Sequence, residues 1–363
     1  MNIVLMNLSK EFLSGELQTF FLARGLQESS EHSIVLICRD GSKLQALARQ
    51  HDIEVFSLAS GLLGRALGRL KLRWFFRRNP GRWIVHTHDN ISAALGADLS
   101  RKHTDLRLIH SRHTPERISD GKLQDKIRAG LLVACETQEI AFIMAEAKIM
   151  PRSLKIIHGG IDASGYPKRT NRGNGRIIFG CGGRLEPGNG HETLIRALPF
   201  FQKLAESSAA CPPAWEVRLS GSGPLFEPLL ELAKELGVES RLAFLGGQDS
   251  KVVFPDCDLL VAPAESGEGC SLALMEGWAV GLPIICSDSM AHQETAVNLR
   301  DALWFANGNA EDLAEKMWSL IADATLQNKL MAGGKEALQS FSHTAMTGRY
   351  LECYERLLAI NFI

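Results

Sequence analysis

Short apolar runs recur along the chain, each closed by a polar or glycine-containing turn. In the first half they fall at residues 2–7, 33–38, 54–58, 83–86, 106–110, 131–135 and 155–158. In the second half they open at 176 and recur at 216–220, 242–246, 259–263, 283–286 and 302–306. Most are apolar on consecutive rather than alternate positions, the pattern of strands covered on both faces. Between them, apolar residues repeat at helical spacing over 16–27, 43–50, 137–146, 272–280, 311–321, 324–341 and 345–359. Further helices open at Glu192 and end at Leu236. Strand and helix alternating in this way predict an α/β chain on parallel, doubly wound sheets.

Size turns this into a two-domain expectation, because 363 residues exceed one ordinary core. Hydrophobic residues make up 45% and charged residues 22%, as in soluble globular proteins. The net charge of −1 argues against a nucleic-acid binder. Eight cysteines occur without a C-x-x-C pair, mostly inside apolar runs such as those of Cys38, Cys135, Cys181 and Cys286. They read as buried, reduced thiols of a cytosolic protein rather than as disulfides or zinc ligands. The opening MNIVLMNLSK lacks the basic start and the apolar length of a signal peptide. No run reaches the roughly 18 apolar residues of a membrane span, so membrane contact is expected to be peripheral.

The most informative stretch is AESGEGCSLALMEGWAVGLPIICSD, residues 264–288. A buried strand leads into a small polar loop, and Ser271, a good N-cap type, opens a helix ended by Gly281 and Pro283. A second strand follows. Such a unit aims backbone N–H groups and the positive end of a helix at an anion. Glu268 lies on the loop, and Glu276 lies about one and a half turns into the helix. A carboxylate in that small-residue, apolar helix needs a partner, since burying it alone is costly. Glu268 on a glycine loop has a plainer alternative, a solvated charge.

This stretch resembles the signature of family 4 glycosyltransferases, a Glu, seven residues, a second Glu, then a small-residue helix and G-x-P-V/I-I. Glu268, Glu276, Gly281, Pro283, Ile284 and Ile285 fill those places. The resemblance implies the GT-B fold: two Rossmann-like parallel-sheet domains facing across a cleft, with a C-terminal helix crossing back to the first domain. The expected bounds are an acceptor-binding domain 1–166, a linker 167–175, a nucleotide-sugar domain 176–344 and the returning helix 345–363. HGGID, residues 158–162, stands where the family closes its first domain with P-N-G-V-D.

The resemblance also implies roles. Arg184 matches the arginine that clamps the donor diphosphate, with the backbone N–H groups of Gly269, Cys270, Ser271 and Leu272. The lysine that usually joins it is replaced by Asn189; Lys251 or a cation of the first domain could substitute for it. Glu276 would take the ribose hydroxyls and Glu268 those of the transferred sugar, while Gly221, Leu245 and Gly246 would line the nucleotide side. In the first domain Gly15 matches a glycine loop facing the donor phosphates and the acceptor, with Ser14 where a second glycine is usual. His113 matches a histidine beside the donor sugar, and His88 and Asp89 stand as acceptor-side candidates. His86 reads as structural. No cofactor or metal is implied: no H-x3-H is spaced for one, and no D-x-D lies in a suitable loop.

The segment 61–83 carries seven arginines and lysines and no acid, with Leu62, Leu63, Leu67, Leu70, Trp74 and Phe75 at helical spacing. It reads as a basic amphipathic helix for an anionic membrane or a phosphorylated acceptor, or else as a solvated face. Together these features imply a retaining transferase that takes a UDP- or GDP-sugar. Its acceptor is expected to be a saccharide or lipid-linked glycan of the cell envelope, of lipopolysaccharide core or O-antigen type. It is expected in the cytoplasm, at the inner face of the inner membrane. The alternatives are a soluble transferase acting on a small metabolite, and a nucleotide-sugar binder whose turnover was lost with the lysine at 189.

Overall fold

The computed structural model describes residues 1–359 apart from 30, 129, 131, 171–174, 208–213 and 267–270, and apart from the side chains of 62, 63, 65 and 66. The chain divides into two compact units, Met1–Ile161 with His343–Ile363, and Asp162–Ser342. The first division thus falls five residues before the expected bound at 166. Residues 166–170 are laced to the second unit: Lys168 Nζ donates to the Ala279 carbonyl at 2.8 Å and Arg169 pairs with Asp258 at 2.8 Å.

The first unit is a seven-stranded parallel sheet in the order β3-β2-β1-β4-β5-β6-β7. Its strands are β1 (Asn2–Asn7), β2 (Ser33–Arg39), β3 (Val55–Leu58), β4 (Trp83–Thr87), β5 (Leu106–Arg112), β6 (Leu132–Cys135) and β7 (Leu154–Ile156). The helices between them are α1 (Ser14–Glu28), α2 (Lys43–Gln50), α3 (Gly61–Arg78), α4 (Asn90–Ser100), α5 (Gly121–Arg128) and α6 (Gln138–Glu146). Runs such as Ile3–Met6 and Val35–Cys38 are fully buried, as strands covered on both faces must be.

The second unit repeats the plan with six parallel strands in the order β10-β9-β8-β11-β12-β13. They are β8 (Arg176–Gly182), β9 (Ala214–Ser220), β10 (Leu242–Phe244), β11 (Leu259–Ala262), β12 (Ile284–Ser287) and β13 (Leu303–Phe305). Around them lie α7 (His191–Ser207), α8 (Phe226–Glu235), α9 (Ser250–Val253), α10 (Leu272–Val280), α11 (Met290–Thr295), α12 (Ala310–Ala322) and α13 (Ala324–Ser340). One face of this sheet is sealed by Phe179, Phe201, Trp215 and Phe305, all buried. In both sheets the strand order reverses once, between β1 and β4 and between β8 and β11. Ligands of open parallel sheets bind beyond the strand ends at such a reversal.

The last helix, α14 (His343–Ala359), belongs to the first unit. The Tyr354 hydroxyl reaches His86 Nδ1 at 2.7 Å, and the Tyr350 hydroxyl reaches Ser111 Oγ at 2.8 Å. His86 Nε2 closes this buried network on Ser111 Oγ at 2.7 Å.

The basic segment is organised differently from its expected form. The helix ends at Arg78 rather than at 83, because Asn79-Pro80 stops it and Trp83 turns inward as the first residue of β4, 5% exposed. Its buried face is Gly64, Gly68, Leu72 and Phe76. Of the expected apolar stripe, Leu67, Leu70 and Trp74 face outward at 57%, 59% and 54% exposure. The glycines explain the inversion: a Cβ on Gly64 would strike the Ala59 carbonyl, so that face alone can lie against the loop leaving β3. α4 and α5 were not legible beforehand, since NISAALGADLS and GKLQDKIR carry little helical periodicity.

Candidate active site

At the strand reversal of the second unit, the loops after β8 and β11 lie against each other. The Glu265 amide donates to the Gly188 carbonyl at 2.7 Å, and Gly190 sits so close to the Pro263 carbonyl that a Cβ would collide with it. Gly190 also has φ +71°, so two constraints favour glycine here. Gly221 packs as tightly against the Gly183 carbonyl and donates to the Gly246 carbonyl at 2.7 Å, fixing the loops after β9 and β10 side by side. Leu245 is tied to β9 by its amide, which donates to the Leu219 carbonyl at 2.8 Å.

Into this frame opens the N-terminus of α10. Ser271, its N-cap residue, is 1% exposed, and its hydroxyl has no hydrogen-bond partner. Among the described residues no side chain caps the helix, whose first N–H groups and positive end are suited to meet a ligand. Leu272 is its first residue. Glu268, Gly269 and Cys270 lie outside the described residues.

Glu276, on the second turn, receives a hydrogen bond from the Tyr166 hydroxyl at 2.9 Å. The residue as a whole is half-buried, and the carboxyl is its shielded end. Burial pushes that carboxyl up to about 7, against the opposing effects of hydrogen bonds from Ser250 and Tyr166 and of the nearby Lys251 charge. The Lys251 ammonium stands 4.8 Å over the Tyr166 ring. Tyr166, Lys251 and Glu276 thus form one group, which sequence reading had not assembled. Tyr166 carries no signal in the sequence; the fold brings its hydroxyl against α10.

Arg184 follows β8, half-exposed and paired with Glu186. Asn189, where the resemblance leads one to expect lysine, donates through its side-chain amide to the Arg184 carbonyl at 2.7 Å. It closes the turn on itself. His191, just beyond, is 2% exposed with both ring nitrogens unpartnered, and burial lowers its pKa to about 4.

The first unit presents its own cluster at the β1–β4 reversal. His113 Nδ1 lies 2.6 Å from Glu136 Oε1, and His113 Nε2 lies 3.1 Å from His88 Nδ1. The remaining nitrogen, His88 Nε2, has no partner although the residue is only 5% exposed. Burial, reinforced by the neighbouring His86 and His113, holds His88 well below the ordinary histidine range. Gly15, one residue after Ser14 at the start of α1, approaches this pair: a Cβ on it would come within 3.2 Å of the His113 ring. Asp89 spends both carboxylate oxygens on backbone amides, of Leu8 at 2.7 Å and of Ile91 and Ser92 at the start of α4. Glu136, the anchor of the histidine pair, lies just past β6 and was missed because no local pattern marks it. Among the described residues no three His, Cys, Asp or Glu side chains gather as a metal site would need.

Two family models match adjoining parts of the chain: "Glycosyltransferase Family 4" over residues 15–164 and "Glycosyl transferases group 1" over residues 164–337. The lipopolysaccharide core biosynthesis glycosyltransferase LpsD of Rhizobium meliloti is 33% identical over 142 residues, 39% of this chain and 41% of that protein. LpsE of the same organism is 31% identical over 42% of this chain and 45% of its own. The match therefore spans less than half the length of these two relatives. A D-inositol 3-phosphate glycosyltransferase of Rhodococcus erythropolis is 26% identical over 80% of this chain and 72% of its own. Among solved structures, Anabaena Alr3699/HepE in complex with UDP has a TM-score of 0.81 at 19% identity, covering 98% of this chain and 100% of that one. The lipopolysaccharide outer core galactosyltransferase WaaB has a TM-score of 0.71 at 16% identity, covering 98% and 99%. Two Rossmann-like units of this kind constitute the GT-B fold.

Proposed function

The chain belongs to glycosyltransferase family 4, and from that premise we propose that it moves a sugar from a nucleotide sugar to a saccharide or lipid-linked acceptor of the cell envelope, retaining the anomeric configuration. The observation that carries this reading is the uncapped N-terminus of α10 with Glu276 on the same helix, beside the glycine-built strand reversal. Backbone N–H groups there, with Arg184, are suited to stabilise a departing diphosphate. That charge handling takes the place of a metal ion in this reading, and no cofactor is needed. Glu276 would accept the ribose hydroxyls and Glu268 the hydroxyls of the transferred sugar. Attack on the face that the leaving phosphate departs from would let its oxygen take the acceptor proton, so no protein nucleophile is assigned. His113, with Gly15, would border the sugar, and His88 the acceptor.

The envelope setting is supported by the names of LpsD, LpsE and WaaB. A uridine donor is supported by the UDP of HepE and a guanosine donor by a relative named GDP-mannose-dependent, so both enter the test. No described helix is long and apolar enough to cross a membrane. We place the enzyme at the cytoplasmic face of the inner membrane, held by Leu67, Leu70 and Trp74 on the outer face of α3 among Lys71, Arg77 and Arg78.

The first test is nucleotide release from UDP-, GDP- and ADP-sugars by wild type, Glu268→Ala and Arg184→Ala. Release from one donor, lost in both variants, supports the reading and identifies the donor. No binding of any donor overturns it.

A further inference from the structure

A cavity of about 560 Å³ opens in the first unit beside the C-terminal ends of β1, β2 and β3. This is the size of a small-molecule site. Five cations line it, Lys10, Arg39, Arg69, Lys122 and Lys126, against one acid, Asp120. Arg69 and Lys126 share Asp98, at 3.2 and 3.3 Å. Asp120 accepts the Lys122 backbone amide at 2.9 Å as α5 begins. Lys10, Arg39 and Lys122 come from three separate elements, and among the described residues their charged ends have no acidic partner. Like charges gathered on one concave wall repel one another, and a low-dielectric wall strengthens the field they project into the hollow. The rest of the wall is apolar, with Leu8, Leu58, Ile91 and Leu95, a surface suited to the C–H face of a sugar ring. Ser60 heads α3 at the rim and makes no capping hydrogen bond.

We propose that this cavity binds a phosphorylated sugar, with Lys10, Arg39 and Lys122 holding the phosphate. The inference rests on the transferase reading only for what the occupant does, namely serve as acceptor. Its binding is separately measurable.

The test is calorimetric titration of glucose 6-phosphate, glucose and inorganic phosphate into the full-length protein at low salt, with and without UDP. The same titrations are run on Lys10→Ala/Arg39→Ala/Lys122→Ala. Among the described residues these side chains make no hydrogen bond or ion pair, so the fold is expected to persist, and the UDP Kd of the variant serves as its control. Glucose 6-phosphate should bind at least tenfold tighter than either glucose or inorganic phosphate, with UDP present. The triple variant should lose at least tenfold for it while keeping its UDP Kd. Equal affinities for glucose and its phosphate, or an unchanged triple variant, would overturn the proposal. So would competition by UDP, which would put the probe in the donor site. Inorganic phosphate binding as tightly as the sugar phosphate would remove the sugar from it. Vesicles of phosphatidylcholine with phosphatidylglycerol form a last arm: if only they require the three cations, the occupant is a lipid headgroup and the proposal fails. Absence of UDP binding, by contrast, would count against the transferase reading alone.

Discussion

His88 Nδ1 stands 3.1 Å from His113 Nε2, with the two rings within 10° of parallel. The Glu136 carboxylate accepts from His113 Nδ1, so in the tautomer with its single proton there His113 presents a lone pair at Nε2. His88 must then donate from Nδ1, which leaves its buried Nε2 as an acceptor with nothing to accept from. Three residues thus orient one neutral, lone-pair-bearing nitrogen.

That orientation predicts the behaviour of Glu136→Gln. A glutamine amide can donate to His113 Nδ1, reversing both tautomers and turning His88 Nε2 into a donor. We expect kcat to fall about a hundredfold with the donor Kd unchanged. Steady-state kinetics beside equilibrium nucleotide binding checks it. A parallel loss of donor affinity would mean that the trio only supports the fold.

The same burial has a consequence for stability. His86, His88 and His110 are all held well below the ordinary histidine range, first by burial. A histidine with a depressed folded pKa contributes stability above its unfolded value of about 6.5, and that contribution is lost as pH falls below it. Urea midpoints, measured in Glu276→Gln so that this carboxyl's opposite pH dependence is removed, should therefore decline from pH 7 toward pH 5, and adding His110→Asn should flatten the decline. A midpoint independent of pH over that range would contradict the buried, neutral assignment.

Glu276 carries the opposite sign. Its folded pKa, about 7, lies above the ordinary 4.5, so the folded state holds the extra proton and stability is lost as pH rises from 4.5 through 7. The full effect is at most about 3 kcal/mol. Glu276→Gln should be more stable than wild type at pH 8 and equal to it at pH 4. If Glu276 accepts the ribose hydroxyls, wild type should release a proton on binding donor at pH 6.5, read from calorimetry in buffers of different ionisation enthalpy. The variant should release none.

Much of this architecture was legible because fully buried parallel strands leave continuous apolar runs. α10 was placed at 272–280, as found, by Ser271 before it and Gly281 behind it. What stayed hidden is what depends on long-range packing. Glu136 meets His113 across 23 positions and Tyr166 meets Glu276 across 110, and no local pattern encodes either pairing. α3 shows the reverse: its leucines and Trp74 have helical spacing, yet Gly64 and Gly68 decide which face can approach the sheet. Apolar periodicity measures burial only when nothing smaller competes for the contact.

That inverted face makes a prediction of its own. Arg78 stacks 4.0 Å over the Trp74 ring, so the exposed aromatic and a cation form one amphipathic edge. Leu70→Glu/Trp74→Glu should abolish sedimentation with phosphatidylglycerol vesicles and leave nucleotide release from a soluble donor unchanged. Retained sedimentation in the double variant would rule out α3 as the contact.

Asn189 poses the sharpest question about catalysis. Its amide closes the loop after β8 on the Arg184 carbonyl, at the position where the resemblance implies a second cation. Two cations favour a departing diphosphate over its bound precursor more than one does. If Arg184 acts alone, Asn189→Lys should raise donor turnover about tenfold or more. If Lys251, which stands over Tyr166 beside Glu276, already serves the donor, the gain should be absent and Lys251→Ala should instead weaken donor binding. Comparing the two variants by nucleotide release and by UDP Kd separates these cases. A chain whose turnover is unmoved by either would have its diphosphate stabilised by the α10 N-terminus and Arg184 without a further lysine, and Asn189 would then be a loop closure rather than a defect.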